Sequence, residues 1–168
     1  QAGSTFNGNV VNYDLLPTFV DWAGGQPGKL KDIDGVSLAG YLRGQKPTTA
    51  FLKRHLYFHY PHNRTSMPHS AIVSGTDKVI HFYGHDDIPM LFDLAKDEAE
   101  TTNLAAKNPE RHQALFNEMM RYLKAVGTRM PKVNPDFDAE AYKQSEAYEK
   151  RLPHLPFKGR RKLADDEK

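Results

Sequence analysis

Side chains that bind anions and stack on sugars come together in one short stretch of this sequence, from His59 to Arg64. An arginine can pair with an anionic group through two parallel hydrogen bonds, and aromatic rings offer flat faces for stacking. Histidines and a tyrosine beside that arginine therefore predict a loop that contacts an anionic sugar. In order of preference, the candidate contact residues are His62, His59 and Arg64.

Two other interpretations of this stretch follow from the same residues. Imidazole is a common metal ligand, and His59 and His62 have the His-x-x-His spacing. No third ligand falls in register with them, so a metal site is not predicted. The residues also fit an ordinary loop with some aromatic packing, and the sequence leaves that interpretation open beside the sugar-contact hypothesis.

Other residues that could bind a metal ion have simpler explanations. Asp14 stands directly before an apolar helical pattern, so it is predicted to cap that helix rather than to bind a metal ion. Asp86 and Asp87 are predicted to lie in a solvated turn. The sequence contains no cysteine, which excludes disulfides, thiolate metal sites and a cysteine nucleophile within these 168 residues.

The composition limits the function further. A net charge of +2 gives no electrostatic case for nucleic acid or an anionic membrane surface, and no apolar run is long enough to cross a bilayer. The length predicts one domain or slightly more. Because residues 1–12 read like the interior of a longer chain and no methionine begins it, we expect a fragment. The basic run at 158–162 is predicted to belong to a solvated tail.

Four short segments rich in aromatic and β-branched residues predict a small antiparallel meander. They span residues 54–60, 70–73, 78–83 and 90–94. A hairpin turn is predicted at Gly75-Thr76-Asp77, because glycine and aspartate tolerate the backbone angles of a tight turn.

Two amphipathic helices complete the predicted elements. The longer one spans residues 109–126, with Asn108 as its N-cap and Gly127 as its C-terminal glycine. Its apolar stripe consists of Leu115, Phe116, Met119, Leu123 and Val126. The shorter one follows Asp14, and its apolar face consists of Leu15, Leu16, Phe19, Val20 and Ala23. The longer helix can cover one face of the meander in a two-layer α+β arrangement.

Three motifs follow one another along the chain. The first has the form D-L-x-P-T, then A-G, then D-G-x-S-L, within residues 14–38. The second combines R-x-L-Y at 54–57 with A-I-x-x-G-x-x-K-x-I at 71–80. The third is L-F-D-L-x-x-D-x-x-E-x-x-N-L at 91–104, a polar connection between a strand and the long helix. In this order they resemble the C-terminal region of the formylglycine-dependent sulfatases of the alkaline-phosphatase-like superfamily, and the resemblance covers about residues 10–138.

The resemblance implies an architecture. Residues 1–48 would supply the last helix of a large α/β catalytic domain and a link outward. Residues 49–130 would form a C-terminal subdomain, in which a four-stranded antiparallel sheet packs on the helix at 109–126. Residues 131–168 would form an extended, charged tail.

The resemblance also implies a reaction, the hydrolysis of sulfate esters of a sulfated carbohydrate. That reaction needs a nucleophile, a cation that neutralises the sulfate oxygens, and acid–base groups. In the family the nucleophile is a formylglycine made within C/S-x-P-x-R, and the cation is calcium. No serine here lies in that motif, since Ser66-Met67-Pro68-His69 lacks the arginine. The chain is therefore expected to hold no catalytic or metal-binding residue and to be inactive alone.

The partners implied by the resemblance are an upstream catalytic domain of the same protein and a sulfated carbohydrate, without nucleic acid or membrane insertion. The implied location is periplasmic or secreted, as for bacterial sulfatases. Three alternatives stay open: a phosphate or phosphonate ester hydrolase of the same superfamily, a non-catalytic carbohydrate-binding module, and a purely structural fragment. The last would leave the apolar face of Leu15, Phe19 and Val20 exposed.

Overall fold

A computed structural model of the chain describes residues 3, 5, 6, 8–62, 67–83, 89–132, 135, 136, 138, 140 and 141. Its contacts divide the chain into two compact units, Gln1–Arg54 and His55–Lys168. The α-helices of the first unit are α1 (Leu15–Trp22), α2 (Ala39–Leu42) and α3 (Thr49–Lys53). The second unit contains β1 (His55–Tyr60), β2 (His69–Ser74), β3 (Asp77–Phe82), β4 (Met90–Asp93) and α4 (Pro109–Ala125). Within the described residues, no helix has both the length and the apolar content needed to cross a membrane.

The four strands form one antiparallel sheet in the order β1-β2-β3-β4, so the predicted meander is confirmed. Its register places His59 opposite Ser70, and Ser70 opposite His81. The first strand begins at His55, one residue later than predicted. Since side chains alternate between the two faces of a strand, this register fixes which residues share a face.

One face of the sheet packs against α4, as the two-layer prediction requires. The shared core consists of Ile72, Val79, Leu91, Ala105, Leu115, Met119 and Leu123, all at most 3% exposed. At its border the rings of Tyr57 and Tyr122 stack with their centroids 3.8 Å apart, and the Tyr57 hydroxyl donates to Glu118 at 3.0 Å. The helix is thus fixed by apolar burial and by an aromatic pair.

The opposite face of the sheet is also largely buried. Its core consists of Ala71, Ile80, Phe82, Met90 and Phe92, with Met67 and Leu94 packed against it. This explains why the strands contain apolar runs rather than a clean alternation, because a sheet covered on both faces needs apolar residues at successive positions.

Of the signals predicted for the two ends of α4, the N-terminal cap bond is not formed and the C-terminal glycine arrangement is. Asn108 stands at the N-cap, but its side chain makes no capping hydrogen bond. At the other end Gly127 has a positive φ of 66°, the N–H of Gly127 donates to the carbonyl of Lys124, and that of Thr128 donates to Leu123. This pair of bonds is the Schellman arrangement that glycine favours, so the predicted C-terminal signal is confirmed.

In the first unit, Asp14 does not cap α1, so that prediction is wrong. Its carboxylate accepts hydrogen bonds from the N–H groups of Val11 at 3.0 Å and Val36 at 3.1 Å. Both oxygens also receive the guanidinium of Arg54, at 2.8 and 2.6 Å. The aspartate is fully buried, and a buried carboxylate needs such donors and a cation. Of these partners, Val36 and Arg54 come from distant positions in the sequence.

Most of the predicted apolar face of α1 is exposed in the described structure. The helix buries Pro17 and Thr18 instead. Its large apolar side chains are between 47% and 55% exposed, and these are Leu15, Leu16, Phe19 and Trp22. Neighbouring large apolar side chains on a helix of this length form a patch that monomeric proteins normally cover.

Two histidines of the second unit make its stability sensitive to mild acid. Burial, followed by the charge of His81, lowers the pKa of His112 below its usual 6.5. Burial, followed by the charge of Arg111, likewise lowers the pKa of His55. The unfolded chain therefore takes up these protons at a higher pH than the folded chain, so this stability is present above about pH 6.5 and is lost as the pH falls below it.

We expect the urea concentration at the unfolding midpoint to be lower at about pH 5.5 than at about pH 7.5. The variant His112→Phe should show a smaller difference between the two pH values. Phenylalanine keeps a ring where His112 stacks on Phe116, with centroids 6.0 Å apart. As a control, His62→Phe removes an exposed histidine and should keep the full pH dependence. An unchanged pH dependence in His112→Phe would contradict this explanation.

Candidate functional site

His59 lies in β1 with both ring nitrogens in hydrogen bonds. Nδ1 is 2.7 Å from the hydroxyl of Ser70, and that hydroxyl is 2.7 Å from the hydroxyl of Tyr83. Nε2 is 3.0 Å from the backbone carbonyl of Arg129, in the segment after α4. Ser70 is fully buried, and burial is the main cause that raises the pKa of Tyr83.

These contacts determine the direction of every hydrogen bond when His59 is neutral. A carbonyl oxygen only accepts, so Nε2 must donate to Arg129, and Nδ1 must then accept from Ser70. Because the Ser70 proton is used, the Tyr83 hydroxyl donates to Ser70. His59 thus links β1 to the segment after α4, and a sugar hydroxyl could bind its ring nitrogens only by displacing one of these bonds.

His62 has a different environment, at the exposed end of β1. Its ring meets the ring of Tyr60 edge-on, with centroids 5.7 Å apart. Tyr60 in turn lies 5.7 Å from His69, and the His69 ring lies 5.3 Å from Phe82. Phe82 is buried in the core, so the rings of this group that a sugar ring can stack on are those of His62, Tyr60 and His69. Arg64, the third predicted contact, lies outside the described residues.

The structure does not bring His59 and His62 to one place. His59 shares the α4 face of the sheet with Tyr57, whereas Tyr60, the neighbour of His62, points to the opposite face by the alternation of the strand. The His-x-x-His spacing therefore does not form a metal pair. Among the residues that the structure describes, no three histidine, cysteine or carboxylate side chains are placed to share a metal ion.

The sequence motifs of the first unit turn out to be structural cross-links. Thr18 donates to the carbonyl of Asp14 at 2.6 Å and accepts from the N–H of Leu38 at 2.9 Å. Ser37 donates to Asp21 at 2.7 Å. A Cβ at Gly35 would lie 2.1 Å from the backbone oxygen of residue 13, so only glycine fits there. The D-L-x-P-T and D-G-x-S-L segments are thus joined by the residues that define them.

The third motif fastens the outer edge of β4. The amide oxygen of Asn103 accepts from the N–H groups of Leu91 and Ala105, each at 3.0 Å, and its nitrogen donates to the carbonyl of Pro89 at 2.9 Å. The N–H of Leu104 donates to the carbonyl of Leu91 at 2.7 Å. These bonds satisfy backbone groups of an edge strand that would otherwise lack partners.

The acidic residues of the same motif are used within the fold as well. Asp97 accepts from the N–H groups of Thr101 and Thr102, and these bonds come first among the causes that lower its pKa. Glu100 pairs with Lys78 of the second motif at 2.6 Å. The strand-to-helix connection therefore has the structural role that its sequence predicts, with these carboxylates bonded within the fold.

Comparison with known proteins identifies the family of this chain. A family model described as N-sulphoglucosamine sulphohydrolase, C-terminal, matches residues 1–129. The chain belongs to this sulfatase family. The predicted resemblance is thereby confirmed, and so is the fold class, since the four-stranded antiparallel sheet with its C-terminal helix is also the arrangement in alkaline-phosphatase-like sulfatases.

Relatives in this sulfatase family are much longer than the present chain. An N-acetylglucosamine-6-O-sulfatase from Bacteroides thetaiotaomicron is 30% identical over 139 residues, which are 81% of this chain and 24% of the relative. A sulfatase from Formosa agariphila is 33% identical over 110 residues, which are 61% of this chain and 20% of the relative. The chain therefore spans a fifth to a quarter of the length of these proteins.

Solved structures agree with the family assignment. The structure of BT4656 with its substrate D-glucosamine-2-N,6-O-disulfate matches 66% of this chain and 23% of that chain, with 29% identity and a TM-score of 0.52. The structure of BT1596, a 2-O GAG sulfatase, matches 73% of this chain and 27% of that chain, with 25% identity and a TM-score of 0.51.

Proposed function

We propose that this chain is the C-terminal part of a sulfatase that hydrolyses sulfate esters of a sulfated carbohydrate. The observation that carries the proposal is the family match over residues 1–129. Relatives named for N-acetylglucosamine-6-O-sulfatase activity and for a disulfated glucosamine substrate support a sulfated amino sugar as the substrate class.

The chemistry of the proposed reaction belongs to residues outside this chain. A formylglycine would act as nucleophile and a calcium ion would neutralise the sulfate oxygens, and both would be held by an upstream catalytic domain. Carboxylates of the first and third motifs, such as Asp14 and Asp97, are engaged in structural bonds. The chain would stabilise the fold and form one wall of the substrate pocket.

The exposed face of α1 supports the proposed upstream partner. Leu15, Leu16, Phe19 and Trp22 would be covered if residues 1–48 close a larger α/β domain, as the resemblance implies. Residues 49–130 would then form the C-terminal subdomain and residues 131–168 its tail. We propose a periplasmic or secreted location, which is usual for bacterial sulfatases.

The gene itself provides a direct test of the proposed reaction class. Reading the coding region on the 5′ side of Gln1 should reveal a C/S-x-P-x-R motif, preceded by an Asp-Asp pair and followed by an Asp-Asn pair. An upstream domain of the same superfamily without that motif would favour the phosphate or phosphonate ester hydrolase. An unrelated upstream sequence would leave a carbohydrate-binding module or a structural fragment.

His62 is the residue of this chain that we propose to contact the substrate, because it is exposed and borders the Tyr60 ring. In the complete enzyme, His62→Ala should raise KM for a sulfated amino sugar about tenfold and leave kcat within about twofold. An interaction that is equally strong in the ground state and the transition state changes KM and leaves kcat unchanged. We propose Arg64 as a second contact. For His59 we propose a positioning role, through the hydrogen bonds that join β1 to the segment after α4.

The matched control is His55→Ala, which removes a histidine at the other end of the same strand. That variant should change stability but leave KM unchanged. If His62→Ala left KM unchanged as well, His62 would be an ordinary surface residue. Steady-state rates at several substrate concentrations separate these outcomes.

A further inference from the structure

The second unit contains a cavity lined by both apolar and polar side chains. It has a volume of about 410 Å³ and lies where β3, the segment before β4 and the first turns of α4 meet. This volume is within the range of about 300–1,000 Å³ that small-molecule sites usually have. The cavity lies on the α4 face, which is opposite to the face of Tyr60.

The lining combines apolar walls with a few polar groups. The walls come from Pro89, Pro109 and Phe116, and the polar groups are His81, His112 and Gln113. Both imidazoles flank the same phenyl ring, with centroids 5.1 Å from Phe116 for His81 and 6.0 Å for His112. Gln113 is oriented by the hydrogen bond that it donates to Asn117 at 2.8 Å.

The polar groups suit hydroxyl groups better than charges. A neutral imidazole and a carboxamide each offer a donor and an acceptor, as a sugar hydroxyl does. Within the described part of the chain, no carboxylate, ammonium or guanidinium group lines the cavity. Arg111 is near in sequence, but its guanidinium is bonded to Asp77 at 2.6 Å.

An anion or a metal ion fits this lining less well. Among the described lining residues, a sulfate or carboxylate group would find no cation. A metal ion would find two imidazoles among those residues, beside walls of proline and phenylalanine. A ring with one apolar face and hydroxyl groups at its edge matches both parts of the lining.

We propose that this cavity binds a neutral pyranose unit, such as an unsulfated sugar of a glycan. The apolar face of the sugar lies against Pro109 and Phe116, and its hydroxyl groups bond to His112 and Gln113 beside the His81 ring. The site lies on the opposite face of the sheet from the Tyr60 ring that borders His62. It would hold a part of the glycan that carries no sulfate.

The test is a titration of the full chain with N-acetylglucosamine, galactose and glucosamine 6-sulfate. The histidine ring signals in NMR spectra report binding. The His81 and His112 signals should shift saturably with a neutral sugar, at millimolar concentrations. Gln113→Trp places a large side chain at the exposed rim of the cavity. His112→Phe removes the imidazole nitrogens but keeps a ring. Each variant should weaken sugar binding about tenfold or more. The control Lys124→Trp, an exposed position near the end of α4, should leave binding unchanged.

Several results would overturn the proposal. They are the absence of saturable shifts with every sugar, tighter binding of glucosamine 6-sulfate than of its neutral counterparts, and binding that survives Gln113→Trp. None of these measurements requires sulfate release. Failure of this site and failure of the proposed sulfatase function are therefore distinguishable.

Discussion

Replacing Arg54 by alanine should lower the free energy of unfolding of the first unit by about 3–5 kcal/mol. The Arg54 side chain is 14% exposed, and it makes two bonds to Asp14 and one to the carbonyl of Asn9, at 2.6 Å. Its removal leaves the fully buried Asp14 carboxylate without a cation, and an unpaired buried charge costs far more than a lost surface contact.

The charge state of Asp14 supports this expectation. Burial by itself raises the pKa of the Asp14 carboxyl, but hydrogen bonds from Arg54, Val36 and Val11 and the charge of Arg54 outweigh burial and hold the pKa below its usual value. This carboxylate therefore stabilises the fold above about pH 4, and its contribution is lost as the pH falls through the lowered pKa. Without Arg54, that acid-labile contribution should largely disappear.

A second arginine of the same unit provides the matched control. Arg43 pairs with Asp21 at 3.4 Å, and its side chain is 59% exposed. Solvent screens such a pair, so Arg43→Ala should cost less than about 1 kcal/mol. Urea titrations monitored by circular dichroism and by the fluorescence of Trp22, the single tryptophan, give both values. Equal effects of the two substitutions would contradict the assigned role of Arg54.

Replacing Asn103 by alanine should have the second-largest effect, about 2–4 kcal/mol on the second unit. Its carboxamide makes three hydrogen bonds, including one from the N–H of Leu91, a residue that is only 2% exposed. Alanine leaves that donor without its partner, and an unsatisfied buried group costs its full desolvation penalty. The outer edge of β4 should also become accessible to hydrogen exchange.

Two further variants test whether the hydrogen bonds of Asn103 cause that loss of stability. Asn103→Asp keeps the acceptor oxygens for Leu91 and Ala105 and loses only the bond to Pro89, so it should cost less than Asn103→Ala. Asn117→Ala removes an exposed asparagine that bonds to Gln113 on α4 and should change stability by less than about 0.5 kcal/mol. Similar losses at positions 103 and 117 would show that Asn103 does not fasten the edge of β4.

The sheet and the long helix could be predicted from the sequence because their signals are local. Segments rich in aromatic and β-branched residues predicted β1 to β4, and an apolar pattern of period 3.6 predicted α4, each to within a residue or two. Helix α3 was missed, although Thr48 caps it by accepting from the N–H of Phe51 at 3.2 Å. Threonine before a short apolar run is a local cap signal that could have identified it.

The roles of individual polar residues were harder to predict, because their partners are distant in the sequence. Asp14 has a helix-cap position but is bonded to Arg54, and His59 has a metal-like spacing but is bonded to Ser70. No periodicity encodes such contacts. The ring group of Tyr60, His62, His69 and Phe82 was only partly predicted, because its members come from three different segments.

Residues of the three sequence motifs therefore bond separate segments of the fold to one another. Lys78 of the second motif meets Glu100 of the third, and Arg54 of the second meets Asp14 of the first. Residues that tie segments together in this way stabilise whatever the sheet presents to a substrate. A residue involved in binding is better sought among exposed rings such as His62 than within the motifs.

The most direct test of the central proposal is sulfate release from a 6-O-sulfated glucosamine. It compares the complete gene product with the 168-residue chain, both in the presence of calcium. We expect calcium-dependent release by the complete product and none by this chain alone. Release by the chain alone would show that it holds its own catalytic residues, and a complete product that cleaves only phosphate or phosphonate esters would contradict the proposed sulfatase function.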